Sequence, residues 1–386
     1  MDKRSIIITC PLRLAPFLEK EVAALNFPIM RAADTFVQTS GTLSDTMVLN
    51  LYIRTGHKVL FLIDEFSAST VDELYKKVLD MKWEDYLHED GYISVDSYAE
   101  HPDIKDGRFA NLKCKDAIVD RMRRIYGRRP DSGPQKNKSV IYLYWVDNKA
   151  AIYIDTSGQT LAKHGYRKIS VEAPMQESLA AAVVMATGYN GQGNLINPMC
   201  GSGTLAIEAA LIALNKPAGA FKSNYGFMHI KGFDEALWRD LRKKTKEQTK
   251  RSLTGTIMAT DINSDAIESA RNNAATAGVE HLIEFKVCDF RDTPVPQGPG
   301  AIILNPEYGQ RTGQASELRD VYRGIGDFFK NKCAGYTGYI FTGNLELAKY
   351  VGLKTKRKIM FYNGDIDCRL LEYELYEGSK KRKFVQ

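Results

Sequence analysis

The sequence is poor in the residues that build metal centres and covalent cross-links. Its 386 residues include six cysteines, Cys10, Cys114, Cys200, Cys288, Cys333 and Cys368, all far apart, and only six histidines. No CxxC pair and no HxxxH spacing occurs, so neither a zinc site nor a disulfide framework is indicated; no metal and buried reduced thiols are expected. His57, His88 and His101 are isolated and read as structural or surface residues. No apolar run reaches 18 residues, which argues against a membrane-spanning helix. Met1-Asp2-Lys3-Arg4-Ser5 lacks the apolar segment and cleavage site of a secretory signal. A cytoplasmic location without a membrane partner is the expectation.

What is present is ordinary globular composition, 44% hydrophobic and 26% charged, in a chain long enough for two or three domains. The net charge is only +6, but it is unevenly spread. From Lys105 to Lys138 there are eleven Lys or Arg against four Asp, and from Glu235 to Arg251 seven against three acidic residues. Basic faces on a nearly neutral chain point to a polyanionic partner, the alternative being solvated helix faces.

The N-terminal half mixes strands and helices. Ser5 to Cys10 is β-branched and apolar, and Leu14 to Leu25 carries apolar residues at helical spacing. Thr35 to Gln38 with Gly41 to Leu43 reads as a strand pair, Ser44 to Leu51 as a helix, and Val59 to Asp64 as a strand. A helix is predicted over Val71 to Met81, capped by Ser69 or Thr70, then a strand over Tyr92 to Tyr98. Phe109 to Tyr126 is a basic helix ending at Gly127, and Val140 to Val146 with Lys149 to Asp155 forms a hairpin across Asp147-Asn148. This α+β half has no catalytic cluster and suits a substrate-holding appendage. Thr156 to Val171 reads as a polar connector.

The C-terminal half has a βαβ rhythm, hence a parallel sheet, closed by a hairpin across Asn363-Gly364 that makes one strand antiparallel. In such sheets ligands sit beyond the carboxyl ends of the strands. Four suggestive stretches lie there. Asn194 to Thr204 is a buried strand, a glycine turn at Gly201-Ser202-Gly203 and the start of a helix. The glycines permit a sharp bend and close approach of a nucleotide-like cofactor, and Thr204 or Ser202 can cap the first turn. Asp261 ends the next strand and suits a ribose diol, or else caps the following helix. Asp289-Phe290 pairs an acidic acceptor with a ring, which fits an adenine or a plain strand-end turn. A dinucleotide-dehydrogenase reading of Gly201-x-Gly203-x-x-Ala206 fails, because that fingerprint wants an acidic residue about 20 positions on. Asp261 lies 58 after Gly203.

Asn305-Pro306-Glu307-Tyr308 ends the fourth strand. An exocyclic amine of a base is a poor nucleophile, since its lone pair is delocalised into the ring. The Asn305 side-chain carbonyl and the main-chain carbonyl of Pro306 or Glu307 can accept both of its N–H bonds and aim the nitrogen at a methyl donor. Tyr308 can stack on the base, which must be unpaired or flipped. The competing reading is an Asn-Pro turn followed by a core tyrosine.

Taken together, residues from about Pro174 to Tyr376 resemble the class I S-adenosylmethionine-dependent RNA methyltransferases, in particular the bacterial group with an N-terminal THUMP module. Asn197 to Thr204 matches the family motif Asp-Pro-x-Cys-Gly-Ser-Gly-Thr, and Asn305 to Arg311 matches Asn-Pro-Pro-Tyr-Gly-x-Arg. Asp155 to Gly158, Gly165-Tyr166-Arg167, Ala173-Pro174 and Asn363-Gly364 are similar to the same group, as are Arg54-Thr55 and Trp83 further upstream. The resemblance implies an α/β fold: a Rossmann-like class I methyltransferase domain with a seven-stranded, mostly parallel sheet ending in a hairpin (161–386), a ferredoxin-like segment (1–60) and a THUMP RNA-binding domain (61–160) before it. It implies methyl transfer from S-adenosyl-L-methionine to N2 of a guanine in 23S ribosomal RNA or a ribosomal precursor. Asn197, Pro198, Cys200, Gly201, Ser202, Gly203, Thr204, Asp261, Ile262, Asp289, Phe290 and Asn305 would hold the cofactor, and Asn305, Pro306, Glu307 and Tyr308 the target base. Lys113, Lys115, Arg121, Arg123, Arg124, Arg128, Arg129 and Arg311 would meet RNA, as would the basic segment Glu235 to Arg251 and the tail Lys380-Lys381-Arg382-Lys383. Two positions depart from the pattern: Asn197 stands where the family has Asp, and Glu307 where it has a second Pro. The alternatives are a tRNA guanine-N2 or nucleic-acid adenine-N6 methyltransferase and, in another class, a non-catalytic RNA-binding or ribosome-assembly factor.

Overall fold

A computed structural model describes residues 2–101, 104, 106–167, 175–308 and 315–377. It divides into two compact units. The first contains Met1–Pro11, Leu18–Ala162 and Ala218–Lys244, and the second Leu12–Phe17, Lys163–Pro217 and Thr245–Gln386. The assignment of 218–244 to the first unit was not legible from local sequence. Within that unit Tyr225 and Phe227 are fully buried and pack on Trp238, and Lys222 donates hydrogen bonds to the carbonyls of Gln159 and Thr160.

The first unit is built on one eight-stranded sheet: β1 (Arg4–Thr9), β2 (Arg31–Ala33), β3 (Phe36–Gly41), β4 (Lys58–Ser67), β5 (Tyr92–Glu100), β6 (Asp131–Ser132), β7 (Ser139–Val146) and β8 (Lys149–Asp155), in the order β2-β3-β1-β4-β8-β7-β5-β6. Alternation decides which face each strand buries: Ile6 and Ile8 of β1 are fully buried, and so are Ile141, Leu143 and Trp145 of β7. The hairpin read from Thr35 to Leu43 is instead β2 with β3, because the chain turns at Asp34-Thr35 rather than at Thr39-Ser40. The helix Leu43–Tyr52 starts in a capping box, Thr42 with Asp45. The helix Val71–Asp80 is capped by Thr70, and the helix Gly107–Tyr126 runs from Asp106 to a left-handed Gly127.

Over its described residues the connector after β8 has no helix or strand, as expected of a connector, but it is largely buried. Asp155, Thr156, Ser157, His164 and Tyr166 are buried. Their polarity is spent on buried partners: Asn50 donates to Thr156, and Ser157 donates to Asn50 and accepts from the Val59 amide.

The second unit carries β9 (Asn194–Pro198), β10 (Ile257–Asp261), β11 (Ile283–Val287), β12 (Gly300–Leu304), β13 (Thr337–Thr342), β14 (Arg357–Asn363) and β15 (Ile366–Glu374) in the order β11-β10-β9-β12-β13-β15-β14. The first five are parallel, and β15 runs antiparallel to both β13 and β14, as the hairpin signal implied. Helices Thr204–Ala213, Ser264–Ala277 and Ala315–Lys332 follow β9, β10 and β12. A large core cluster includes Ile196 of β9, Ile302 and Leu304 of β12, and Tyr322, Phe328 and Phe329 of the last of these helices. The chain order reverses at β9, between β10 and β12, and that switch point places a crevice at the carboxyl ends of those strands. Among the described residues no helix is long and apolar enough to cross a membrane.

Candidate active site at the strand carboxyl ends

The turn after β9 bends through left-handed backbone, which glycine adopts freely and methionine does not. Met199, Gly201 and Gly203 all have positive φ (55°, 53° and 77°). Gly203 owes its identity to packing: a Cβ there would sit 2.8 Å from the Cβ of Ala270 in the helix Ser264–Ala277. The Gly201 amide donates to Asp261 Oδ2 at 2.9 Å, and the Asn263 amide to Asp261 Oδ1 at 3.0 Å. Asp261 therefore ties the glycine turn to β10. It does not cap the helix Ser264–Ala277, since that role belongs to Asn263.

The expected capping by Thr204 or Ser202 is not seen. Gly203 occupies the N-cap position and no side chain closes the first turn of Thr204–Ala213. The two hydroxyls lie 3.3 Å apart, and Thr204 Oγ1 accepts from Arg167 at 2.9 Å. The helix therefore presents uncapped N–H groups at the crevice, where anionic or polar ligand groups are favoured. One turn on, buried Glu208 meets His164 Nδ1 at 2.7 Å and accepts from Tyr166 at 2.8 Å. The Gly165-Tyr166-Arg167 segment thus holds this helix from the side. Sequence reading missed this support, because the partners lie about forty residues apart and neither His164 nor Glu208 stands in a motif.

Asn197 is fully buried at the end of β9. Its Nδ2 donates to the Ile303 carbonyl at 2.8 Å, while its Oδ1 has no hydrogen-bond partner. An unpartnered buried acceptor costs free energy, so it marks a place for an incoming donor. The amide also explains the departure from Asp: a carboxylate in the same pose would face the Ile303 carbonyl with no proton to offer. Burial pushes the Cys200 thiol far up, with Asp261 adding to the effect, so it stays protonated and is no nucleophile.

At the end of β11, Asp289 caps a short turn, accepting from the Arg291 amide at 2.9 Å and from its guanidinium at 3.0 Å. Phe290 is only 5% exposed and belongs to the core, edge-on to Phe328. Its ring is not an open wall for an adenine, which corrects that expectation. Exposed apolar groups at this end include Ile262, 71% exposed beside Asp261, and Val287, 50% exposed at the end of β11.

After β12, Asn305 is half-buried, Pro306 buried and Glu307 exposed. The Tyr308 hydroxyl donates to Asn305 Oδ1 at 2.6 Å. The ring is turned inward above Gly343, where a Cβ would come within 3.2 Å of Tyr308 Cδ2. Burial raises the Tyr308 hydroxyl pKa and keeps it protonated as a donor. Asn344 donates to the Tyr308 carbonyl at 3.0 Å, and the Tyr322 hydroxyl reaches the Glu307 carbonyl at 3.4 Å. Tyr322 and Asn344 are further residues that the sequence did not flag.

Of the residues expected to meet RNA, Arg123, Arg124, Arg128 and Arg129 are exposed at the end of the helix Gly107–Tyr126 and just beyond it. Arg121 is paired with Glu84, Lys115 and Arg129 with Asp116, and Lys113 lies over the Phe109 ring. Pro198 is buried within β9. Arg311 and the basic tail from Lys380 lie outside the described residues. Among the described residues no group of three or more His, Cys, Asp or Glu could hold a metal ion.

Comparison with known proteins agrees with this geometry. Residues 164–372 match the RMKL-like methyltransferase domain, 68–155 the THUMP domain and 5–60 the RlmL ferredoxin-like domain. A ribosomal RNA large subunit methyltransferase K/L from Psychromonas ingrahamii is 35% identical over 381 residues, covering 97% of this chain and 50% of the relative. The chain spans about half the length of the curated K/L relatives it matches. A Synechocystis protein assigned as an RNA methyltransferase is 32% identical over 328 residues, with 85% of each chain covered. The solved structure of SMU.472, assigned as a methyltransferase and in complex with SAH, superposes with a TM-score of 0.88 at 26% identity, covering 98% of this chain and 99% of that one. With its glycine turn, strand order and terminal hairpin, the chain belongs to the RMKL-like methyltransferase family, carrying an RlmL-type ferredoxin-like domain and a THUMP domain ahead of the methyltransferase domain.

Proposed function

We propose that the chain is an S-adenosylmethionine-dependent RNA methyltransferase acting on the exocyclic N2 amine of a guanine in 23S ribosomal RNA or its precursor, in the cytoplasm. The observation that carries the reading is Asn305-Pro306 at the end of β12, beside the glycine turn of β9. The residues present fit the cofactor. The unpartnered Asn197 Oδ1 suits its ammonium, the uncapped helix turn its carboxylate, Asp261 its ribose and exposed Ile262 its adenine face.

When bound, the cofactor supplies an electrophilic methyl group on a sulfonium. The chain supplies position. Asn305 Oδ1 accepts one N–H of the target amine. The Pro306 carbonyl, next to Asn305 in the chain, accepts the second N–H, while Tyr322 reaches the Glu307 carbonyl at 3.4 Å and Asn344 holds the Tyr308 carbonyl. Two acceptors fix the nitrogen for in-line attack and favour its change towards sp³ geometry. The proton then leaves late, to water or to exposed Glu307. Calorimetry with the cofactor together with labelled methyl transfer to undermethylated ribosomal RNA tests the proposal; tight cofactor binding without incorporation into any RNA would refute it.

One observation favours the non-catalytic reading: the Tyr308 hydroxyl occupies the Asn305 carbonyl. On the enzymatic reading the target amine displaces it. Tyr308→Phe keeps the ring and removes the competitor, which is worth about 1 kcal/mol net, or roughly five-fold. A KM for RNA lower by about that factor, without loss of kcat, is expected from initial rates, whereas Tyr308→Ala leaves a gap above Gly343, loosens the loop that carries Asn305 and raises KM. A non-catalytic chain shows no turnover with either variant.

On the RNA side, Arg123→Ala with Arg124→Ala removes two exposed cations from the helix end. The slope of log K against log salt is expected to flatten by about 1.4 to 1.8, since each lost phosphate contact contributes about 0.7 to 0.9. Fluorescence titration with RNA across a salt series measures it, and an unchanged slope moves the RNA surface elsewhere.

A further inference from the structure

A cavity of about 480 Å³ lies beside the target-base loop, lined by Arg319, Asn344, Glu346, Leu347, Lys349 and Tyr350. It shares a wall with the active site through one side chain. Asn344 donates from Nδ2 to the Tyr308 carbonyl at 3.0 Å and accepts at Oδ1 from the Leu347 amide at 3.1 Å. The lining is also aromatic and cationic: the guanidinium carbons of Arg319, in the lining, and of nearby Arg323 lie 5.4 and 5.3 Å from the centre of the Tyr350 ring. The local charges do not cancel. Arg323 pairs with Asp320 at 2.7 Å and Lys349 with Glu346 at 2.6 Å, while Arg319 has no carboxylate partner among the described residues. This cavity has the size of a small-ligand site. A guanidinium fork over a tyrosine ring is the chemistry that takes a phosphodiester oxygen and stacks an unpaired base.

We propose that this cavity is a nucleotide subsite, holding through Arg319 and Tyr350 a nucleotide that flanks the target guanine in the RNA. It rests on the RNA methyltransferase reading and adds a second point of attachment to it. A base flipped about its backbone leaves its flanking nucleotides, and the phosphates that join them to it, next to the active site. A phosphate clamp within one side chain of the target loop fixes the backbone on one side while Asn305 and Pro306 hold the amine. The ordinary alternative is a surface cation–π contact that merely stiffens the helix against the 345–351 segment.

The test uses the full chain, with a fluorescein-labelled 15-nucleotide single-stranded RNA containing guanine as the binding probe in the presence of SAH. Arg319→Gln is expected to weaken RNA binding and to lower the salt slope by about 0.7 to 0.9. SAH affinity, melting temperature and kcat at saturating RNA should stay at native values. Tyr350→Ala should weaken RNA binding about tenfold, and Tyr350→Phe, which keeps the ring, should restore it. An unchanged affinity and slope for Arg319→Gln overturns the subsite, and so does a parallel fall in SAH affinity or melting temperature. Binding needs no turnover. A native chain that binds the probe with the expected slope dependence but methylates no RNA therefore refutes the proposed activity and leaves the subsite standing.

Discussion

Replacing Asn305 with alanine is expected to slow methyl transfer by at least about 10²-fold, the usual cost of deleting one preorganised polar group that acts at the reacting centre. Cofactor affinity should remain near that of the native chain. The expectation follows from position. Asn305 stands after β12, and its Oδ1 is already hydrogen-bonding, to the Tyr308 hydroxyl, so a donor can reach it. The glycine turn, Asp261 and the first turn of Thr204–Ala213 are fixed by other contacts: the Gly201 amide to Asp261, Arg167 to Thr204, and Tyr166 to Glu208. None of these involves Asn305. Single-turnover rates with labelled cofactor and calorimetry on the same preparation separate the two effects. Equal loss of rate and affinity would show that Asn305 belongs to the cofactor pocket rather than to the target amine.

Gly203→Ala should lower stability markedly. At φ +77° an L side chain costs about 1–2 kcal/mol. The new Cβ would also press on Ala270, 2.8 Å from its Cβ and 3.3 Å from its Cα, and overpacking of this kind costs about 1–3 kcal/mol. A loss of about 2–5 kcal/mol for the second unit is expected in denaturant melts, with weaker cofactor binding because the turn must shift. Ala270→Gly in the same chain removes the collision but not the backbone strain, and a helix glycine costs about 1 kcal/mol. The double variant should therefore recover only part of the loss, and the pair should be non-additive. A Gly203→Ala chain as stable as the native one would mean that the turn and the helix Ser264–Ala277 are not packed as described.

The strand ends were legible because each is a local pattern. An apolar run followed by Asn197-Pro198, Asp261, Asp289 or Asn305-Pro306 can be read from a dozen residues, and βαβ order places them on one edge. The seven-stranded sheet and its antiparallel last strand followed from the same rhythm and from Asn363-Gly364. What stayed hidden depends on distant partners. Glu208 reads as one polar residue in an alanine-rich helix until His164 and Tyr166 arrive beside it. Thr156 and Ser157 read as loop residues because nothing local shows that Asn50 and the Val59 amide satisfy them. Phe290 follows an acidic residue at a strand end, and only the position of Phe328 shows that its ring points into the core. The inward pose of Tyr308 depends on the absence of a Cβ at Gly343, some thirty-five residues later. Asn197, a departure in the motif, becomes intelligible through the Ile303 carbonyl that its amide meets.

The most direct test of the account is mass spectrometry of nucleosides from undermethylated ribosomal RNA after incubation with the chain and isotopically labelled S-adenosylmethionine. The account predicts label in N2-methylguanosine from large-subunit RNA, lost with Asn305→Ala. Label in N6-methyladenosine, or no label from a chain that binds the cofactor, would contradict it.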